Sequence, residues 1–362
     1  MQSTFGNYAI GRDNNFNLTR MLAALLVLMT HSFVLSTGAA DSEPLRTGLN
    51  TTWGAIAVDV FFITSGFLVT GSMLRLRSLR EFVIARALRI YPALWVALGS
   101  TVVLGGLFLT DLPLENYLSD KQTWRYLARN FTLLTDLAWE LPGVFSNNPA
   151  GRAVNGSLWT LPAEIKMYLI LGAMWFSTRF VKTDAIRWVS LLCIFFGSLA
   201  MLGNVFLFLQ RTDQTEGHLI PLMSMFFAGA AAQVLKDRIP ASKSLACLII
   251  VVLLSSAVWN DVVFGLIYRF TIPYLTLYLA LVPAGIIRRY NNFGDYSYGI
   301  YIYAFPVQQT LAHFWRNIDP YQMMASSLFI TLALSVMSWH LIEKRSLDLK
   351  AYKYPASRKA VF

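Results

Sequence analysis

Ten apolar runs divide the chain, at residues 21–38, 53–73, 90–110, 158–177, 187–209, 218–235, 244–259, 269–287, 296–314 and 322–342. All but 244–259 reach 18 residues, which is close to the ~20 that a helix needs to cross about 30 Å of hydrocarbon. The runs are near-continuous and show no period-two alternation, so they read as buried or lipid-facing helices and not as strands. The eighth run is the least regular, because Pro273 and Pro283 interrupt it. The pattern predicts an all-α, polytopic membrane protein with about ten transmembrane helices.

Composition agrees. Of the 362 residues, 56% are hydrophobic and 14% charged, against about 25% charged in soluble domains; the mean hydropathy is +0.50. An even number of spans puts both termini on one side. Lysine and arginine choose the side: 21 of 30 fall in the terminal segments and alternate loops, 8 in the other loops, and Lys166 inside a run. The excess predicts cytoplasmic termini. Residues 1–345 read as one transmembrane domain and 346–362 as a basic cytoplasmic tail. The first 20 residues are polar and show no cleavage signature, so the first run reads as an uncleaved anchor.

Several chemistries lack a signature. The net charge of +10 is spread between apolar runs, which argues against a nucleic-acid partner. Cys193 and Cys247 have no ligand-spaced partner, and His31, His218, His313 and His340 are too few and too scattered for a metal site. No Walker A loop, GxGxxG, HExxH, CxxC or GxSxG motif occurs. The long segment 111–157 places Trp124, Tyr126 and Trp139 among acidic residues, an arrangement that suits either an interfacial aromatic belt or stacking on sugar rings.

The informative positions are polar residues inside apolar runs. Arg20 and His31 are eleven residues apart, hence on one helical face and about 16 Å apart along the axis. If Arg20 marks the cytoplasmic edge, His31 lies near the middle of the membrane, where an ionisable group points to function, with packing as the plain alternative. Asp59 sits roughly 9 Å inside the second run at ~1.5 Å per residue, followed by Ser65 and Gly66. Arg86 and Arg89 share a helical face ahead of Tyr91–Pro92, at the expected entrance of the third run, where guanidinium groups can bind phosphate bidentately. Glu164 and Tyr168, four apart near the start of the fourth run, face the same way, and Glu164 is expected near the depth of Asp59.

Taken together, these segments resemble the membrane acyltransferase-3 family. The resemblance rests on the Arg20–His31 spacing, FFITSGFL after Asp59, Arg86, Arg89, Tyr91 and Pro92, GSLWTLPAEIKMY with Trp159, Glu164 and Tyr168, GDYSYGIYIYAFP, and Trp339 with Glu343. It implies a bacterial inner-membrane O-acyltransferase that moves an acyl group, usually acetyl, from cytoplasmic acyl-CoA to a carbohydrate hydroxyl. The acceptor would be surface polysaccharide, O-antigen or a lipid-linked precursor, or in some members a small molecule such as a macrolide. His31 would be the base or a transient acyl carrier, oriented by Asp59 and Glu164. Arg20, Arg86, Arg89 and Tyr91 would hold the acyl-CoA, and Trp159, Tyr168 and Ser65 would meet the substrate. No bound cofactor or metal is implied; acetyl-CoA is a substrate, and membrane lipid is the surrounding partner. The chain departs from the family at Ala304, where many members carry a histidine before the aromatic–proline pair. A different class, a proton-coupled transporter or lipid flippase, would use His31, Asp59 and Glu164 as a proton relay, but no internal repeat supports it.

Overall fold

The computed structural model describes residues 3–11, 13–75, 78–181, 184–210 and 219–353, with side chains through 349. His218, Arg12, Arg77, Lys182, Arg211 and the tail beyond 353 lie outside the described residues. A helix lies over each apolar run: α1 Phe16–Thr37, α2 Trp53–Arg75, α3 Leu79–Leu104, α4 Thr160–Ser177, α5 Ala185–Leu209, α6 Leu219–Val234, α7 Lys243–Trp259, α8 Asp261–Leu281, α9 Ser297–Phe314 and α10 Pro320–Ser338. Six helical stretches among the described residues are long and apolar enough to cross a membrane, and α6 and α7 are shorter apolar helices. The chain is an all-helical, polytopic membrane protein.

Helix starts follow ordinary capping chemistry. Ser78 accepts from the Glu81 N–H, Asp184 from Arg187, Ser242 from Leu245 and Asn260 from Val262 and Val263. Asp319 and Gln322 form a capping box at the head of α10. α1 stops at Gly38, whose φ of +74° suits glycine and whose missing Cβ would lie 2.7 Å from the Pro149 carbonyl oxygen.

Small residues set the central crossing. α2 packs against α1, α6 and α8, and α1 also touches α9 and α10. A Cβ on Gly66 would sit 1.9 Å from the Phe226 carbonyl oxygen, and one on Gly229 2.1 Å from that of Ile63. These two glycines bring the backbones of α2 and α6 into direct contact, the usual device between membrane helices, where lipid supplies no hydrophobic drive for association.

Three sequence expectations shift. The eighth helix starts at Asp261, not 269, because Asn260 caps the apolar stretch ahead of Arg269. Arg269, at the very start of the eighth apolar run in the sequence, is instead buried inside α8, where Gly265 and Asn204 accept its hydrogen bonds. Tyr91–Pro92 is not a helix entrance: α3 begins at Leu79 and carries Pro92 in its interior. Segment 111–157 is partly helical. Its helix Lys121–Thr132 packs against α3, with Trp95 donating to the Phe131 carbonyl at 3.1 Å. Beyond α10, a π-turn at Trp339–Glu343 leads into helix Lys344–Lys353, which packs on α3.

Candidate active site

Two cavities meet inside the bundle. The larger, about 1120 Å³, opens toward the end where α1 stops; His31, Asp59, Trp159, Tyr268 and Arg269 are among its lining. The smaller, about 40 Å³, lies toward the end where α1 starts and is lined by Arg20, Ser65, Glu164, Ser297 and Tyr298 among others. Val58 and Tyr301 line both. The eleven-residue separation of Arg20 and His31 thus spans the partition, with one residue facing each cavity.

His31 packs edge-on against Phe305, ring centroids 5.0 Å apart. Its Nδ1 is buried and has no hydrogen-bond partner. The preceding residue is clamped: Thr30 donates to Glu43 Oε1 at 3.3 Å and accepts from the Gly54 N–H at 2.7 Å, tying α1 to the start of α2. Glu43 Oε1 also accepts from the Trp53 N–H at 2.7 Å. Burial pushes the Glu43 carboxyl above its usual range, against the pull of those hydrogen bonds and of Arg46.

The carboxylates expected to orient His31 are engaged elsewhere. Asp59 accepts from the Tyr268 hydroxyl at 2.8 Å in the larger cavity. Glu164 faces the smaller one, where Ser65 donates to it at 3.0 Å and Tyr168 donates a second, short hydrogen bond. Asp59 and Glu164 therefore lie in different cavities, contrary to the expectation of similar depth. Trp159 lines the larger cavity and Tyr168 stands beneath Arg86, whose guanidinium lies 5.9 Å from the ring centroid.

The arginines are split too. Arg89 bridges Asp295 and Glu343, reaching Glu343 at 3.1 Å. Arg20 joins the same network through Asp295 at 3.9 Å and Ser297 at 3.5 Å. Burial raises the Asp295 carboxyl, but Arg89 and Arg20 outweigh it and hold the group below the usual carboxylate range. The Arg86 Nε is buried with no hydrogen-bond partner, so of the Arg86–Arg89 pair it is Arg86 that keeps unused donor capacity. Tyr91 lines neither cavity and donates to the Thr132 carbonyl at 2.7 Å.

Sequence reasoning missed Asp295, Phe305, Tyr268 and Arg269 as members of these sites. Asp295 carried one signal, a lone acid between a glycine and a tyrosine-rich helix start. Phe305 follows the buried Ala304, so the ring that meets His31 stands next to the position that departs from the family pattern. Among the described residues, no group of three or more His, Cys, Asp or Glu side chains is arranged to hold a metal.

Residues 13–340 match the acyltransferase domain of the acyltransferase-3 family. The chain belongs to this family. The match runs almost from end to end of the chain. It is 31% identical over 351 residues to an O-acetyl transferase of Shigella phage Sf6, covering 94% of this chain and 98% of the relative. It is 28% identical to nodulation protein 10 of Rhizobium leguminosarum bv. viciae, over 95% of each chain. Over 35% of its length it is 34% identical to the exopolysaccharide production protein ExoZ of Rhizobium meliloti, of which 43% is covered. No solved structure matches the chain.

Proposed function

We propose that this acyltransferase-3 enzyme moves an acetyl group from cytoplasmic acetyl-CoA to a carbohydrate hydroxyl, within a bacterial inner membrane that it crosses ten times with both termini in the cytoplasm. The carrying observation is the placement of His31, buried with an unpartnered Nδ1, on a cavity of about 1120 Å³ that adjoins the Arg20 pocket across Val58 and Tyr301. The relatives named for O-acetyl transfer and exopolysaccharide production support both the acyl group and the acceptor class.

In this reading the donor approaches from the Arg20 end and the acceptor from the larger cavity. Arg86, with a free buried Nε, binds a phosphate of the coenzyme. The pocket of about 40 Å³ is too small for the pantetheine arm, so donor entry requires its lining to move, including Arg20, which is tied through Asp295 to Arg89. Neutral His31 then takes the proton of the acceptor hydroxyl as its oxygen attacks the thioester carbonyl. The carbon–sulfur bond breaks, and the coenzyme leaves as a thiolate that takes up a proton. In the alternative route His31 itself attacks the thioester, carries the acetyl group as an acyl-imidazole and passes it to the hydroxyl.

Purified protein in lipid nanodiscs, given acetyl-CoA and cell-surface glycans, tests the reading. His31→Ala should cut transfer by about 10²–10⁴-fold with the protein still folded. An active His31→Ala protein overturns the assignment. Mass spectrometry of the His31 peptide after rapid quenching separates the routes, since only the carrier route leaves an acetyl increment on it.

A further inference from the structure

The larger cavity has a polar wall built by three helices. Asp59 comes from α2, Asn204 and Phe208 from α5, and Tyr268 and Arg269 from α8, and all five line the cavity. The wall is internally fastened. Tyr268 donates to Asp59 at 2.8 Å. Arg269 Nε donates to Asn204 Oδ1 at 3.1 Å, and Asn204 Nδ2 donates to Ser224 at 2.8 Å. The Arg269 guanidinium lies 3.8 Å from the Phe208 ring centroid. A Cβ on Gly265 would come within 2.3 Å of Phe208, so the ring is gripped from both sides.

A wall held this firmly presents acceptors and donors at fixed positions, which is how a site reads neighbouring hydroxyls. Trp139 and Trp159, also in the lining, supply flat apolar faces suited to the C–H face of a sugar ring. The charges balance. Arg46, Lys166 and Arg269 line the cavity against Asp59, Asp136 and Asp261. Arg269 is also within electrostatic reach of Asp59. A uronate carboxylate bound at this wall would stand beside the Asp59 carboxylate, and like charges brought together in a partly enclosed site are costly.

We propose that Asp59, Tyr268, Arg269 and Asn204 form the acceptor subsite, and that it selects an uncharged sugar unit, with Asp59 and Tyr268 reading adjacent hydroxyls. This rests on the acetyl-transfer reading above and adds to it the class of acceptor.

The experiment uses the full chain in nanodiscs with acetyl-CoA and two chain-length-matched oligosaccharide series, one of neutral hexoses and one of hexuronates. Wild-type protein should transfer to the neutral series with at least about tenfold higher kcat/KM. Tyr268→Phe, which keeps the ring, should raise the KM for the neutral acceptor about tenfold while the KM for acetyl-CoA stays within about twofold, the split expected where a site hydrogen-bonds a substrate hydroxyl. Asp59→Asn should do the same and narrow the preference against hexuronates. A hexuronate preference, or an unchanged acceptor KM in both variants of an active enzyme, overturns this proposal alone. Transfer to neither series by wild-type protein overturns it together with the carbohydrate reading.

Discussion

Ser65 and Glu164 lie 99 positions apart, yet the Ser65 hydroxyl donates to Glu164 Oε1 at 3.0 Å and stands 3.1 Å from the Tyr168 hydroxyl. The serine of α2 and the acid of α4 thereby fix one corner of the pocket that also holds Arg20. Tyr168 donates to the same carboxylate oxygen, so the three groups form a closed triangle.

A closed triangle of hydrogen bonds to one carboxylate should not respond additively. Each bond to a charged group contributes about 1.5–3 kcal/mol, so Ser65→Ala and Tyr168→Phe should each lower transfer by roughly tenfold or more. The double variant should fall short of the product, because loss of either donor already frees the carboxylate to reorient. A double-mutant cycle on kcat/KM for acetyl-CoA measures the coupling. Strict additivity would mean that Glu164 does not act through this triangle.

The two arginines of the third helix should separate cleanly. Arg89 is tied to Asp295 and Glu343, of which Glu343 is 2% exposed. Arg89→Ala leaves two carboxylates uncompensated and should destabilise the fold by about 3–5 kcal/mol. Arg89→Ala combined with Asp295→Asn and Glu343→Gln should regain part of that loss. Arg86 enters no ion pair among the described residues, and its guanidinium lies over the face of Tyr168. Arg86→Ala should leave the thermal midpoint near wild type and weaken acetyl-CoA binding. Thermal unfolding in detergent, alongside acetyl-CoA titration by calorimetry, reads both arms; equal thermal losses for the two variants would contradict the division.

The contrast between these arginines shows what a sequence can and cannot carry. The apolar runs announced the helices because length and hydropathy are local properties, and each run falls on a helix. Arg20 and His31 were legible as a pair because helical geometry fixes their relation within eleven residues. The partners of Arg89, Asp59 and Ser65 were not legible, since they sit 206, 209 and 99 positions away. Arg269 misled because a charge in an apolar run normally marks its edge, whereas here Asn204 and the Gly265 carbonyl accept its hydrogen bonds and let it stay inside the helix. Tyr91–Pro92 misled similarly, because a proline within a membrane helix can be accommodated by its neighbours.

The α2–α6 crossing should tolerate no added side-chain atom. A Cβ at Gly66 would lie 1.9 Å from a backbone oxygen, which cannot rotate away as a side chain can. Gly66→Ala must therefore push the helices apart and should cost at least about 1–3 kcal/mol, the range for overpacking. Gly99→Ala, whose Cβ would meet nothing within 4 Å, is the control and should be neutral. Fluorescence-detected size exclusion after stepwise heating compares them. A Gly66→Ala protein as heat-resistant as the Gly99→Ala protein would show that this contact does not set the crossing.

Glu43 should make stability depend on pH with a definite sign. It is fully buried in the segment between α1 and α2, and burial raises its carboxyl above the ordinary value of 4.5 despite hydrogen bonds from Trp53 and Thr30. A raised folded value means that the folded state favours the neutral acid. The associated stability is complete below 4.5 and is lost as pH climbs through the folded value, because the unfolded chain ionises first. Glu43→Gln keeps the shape and an oxygen for the Trp53 N–H but cannot ionise. Its thermal midpoint minus that of the wild type should therefore rise from about pH 4 to about pH 8, the span that brackets an ordinary glutamate and its upward shift. Since Glu43 also holds Thr30, the neighbour of His31, the variant should keep transfer activity at neutral pH, whereas Glu43→Ala, which releases Thr30 and the Trp53 N–H, should lose both stability and transfer. A midpoint difference that is flat or falling with pH would show that Glu43 is held ionised, and that the clamp on α1 is an ionic one.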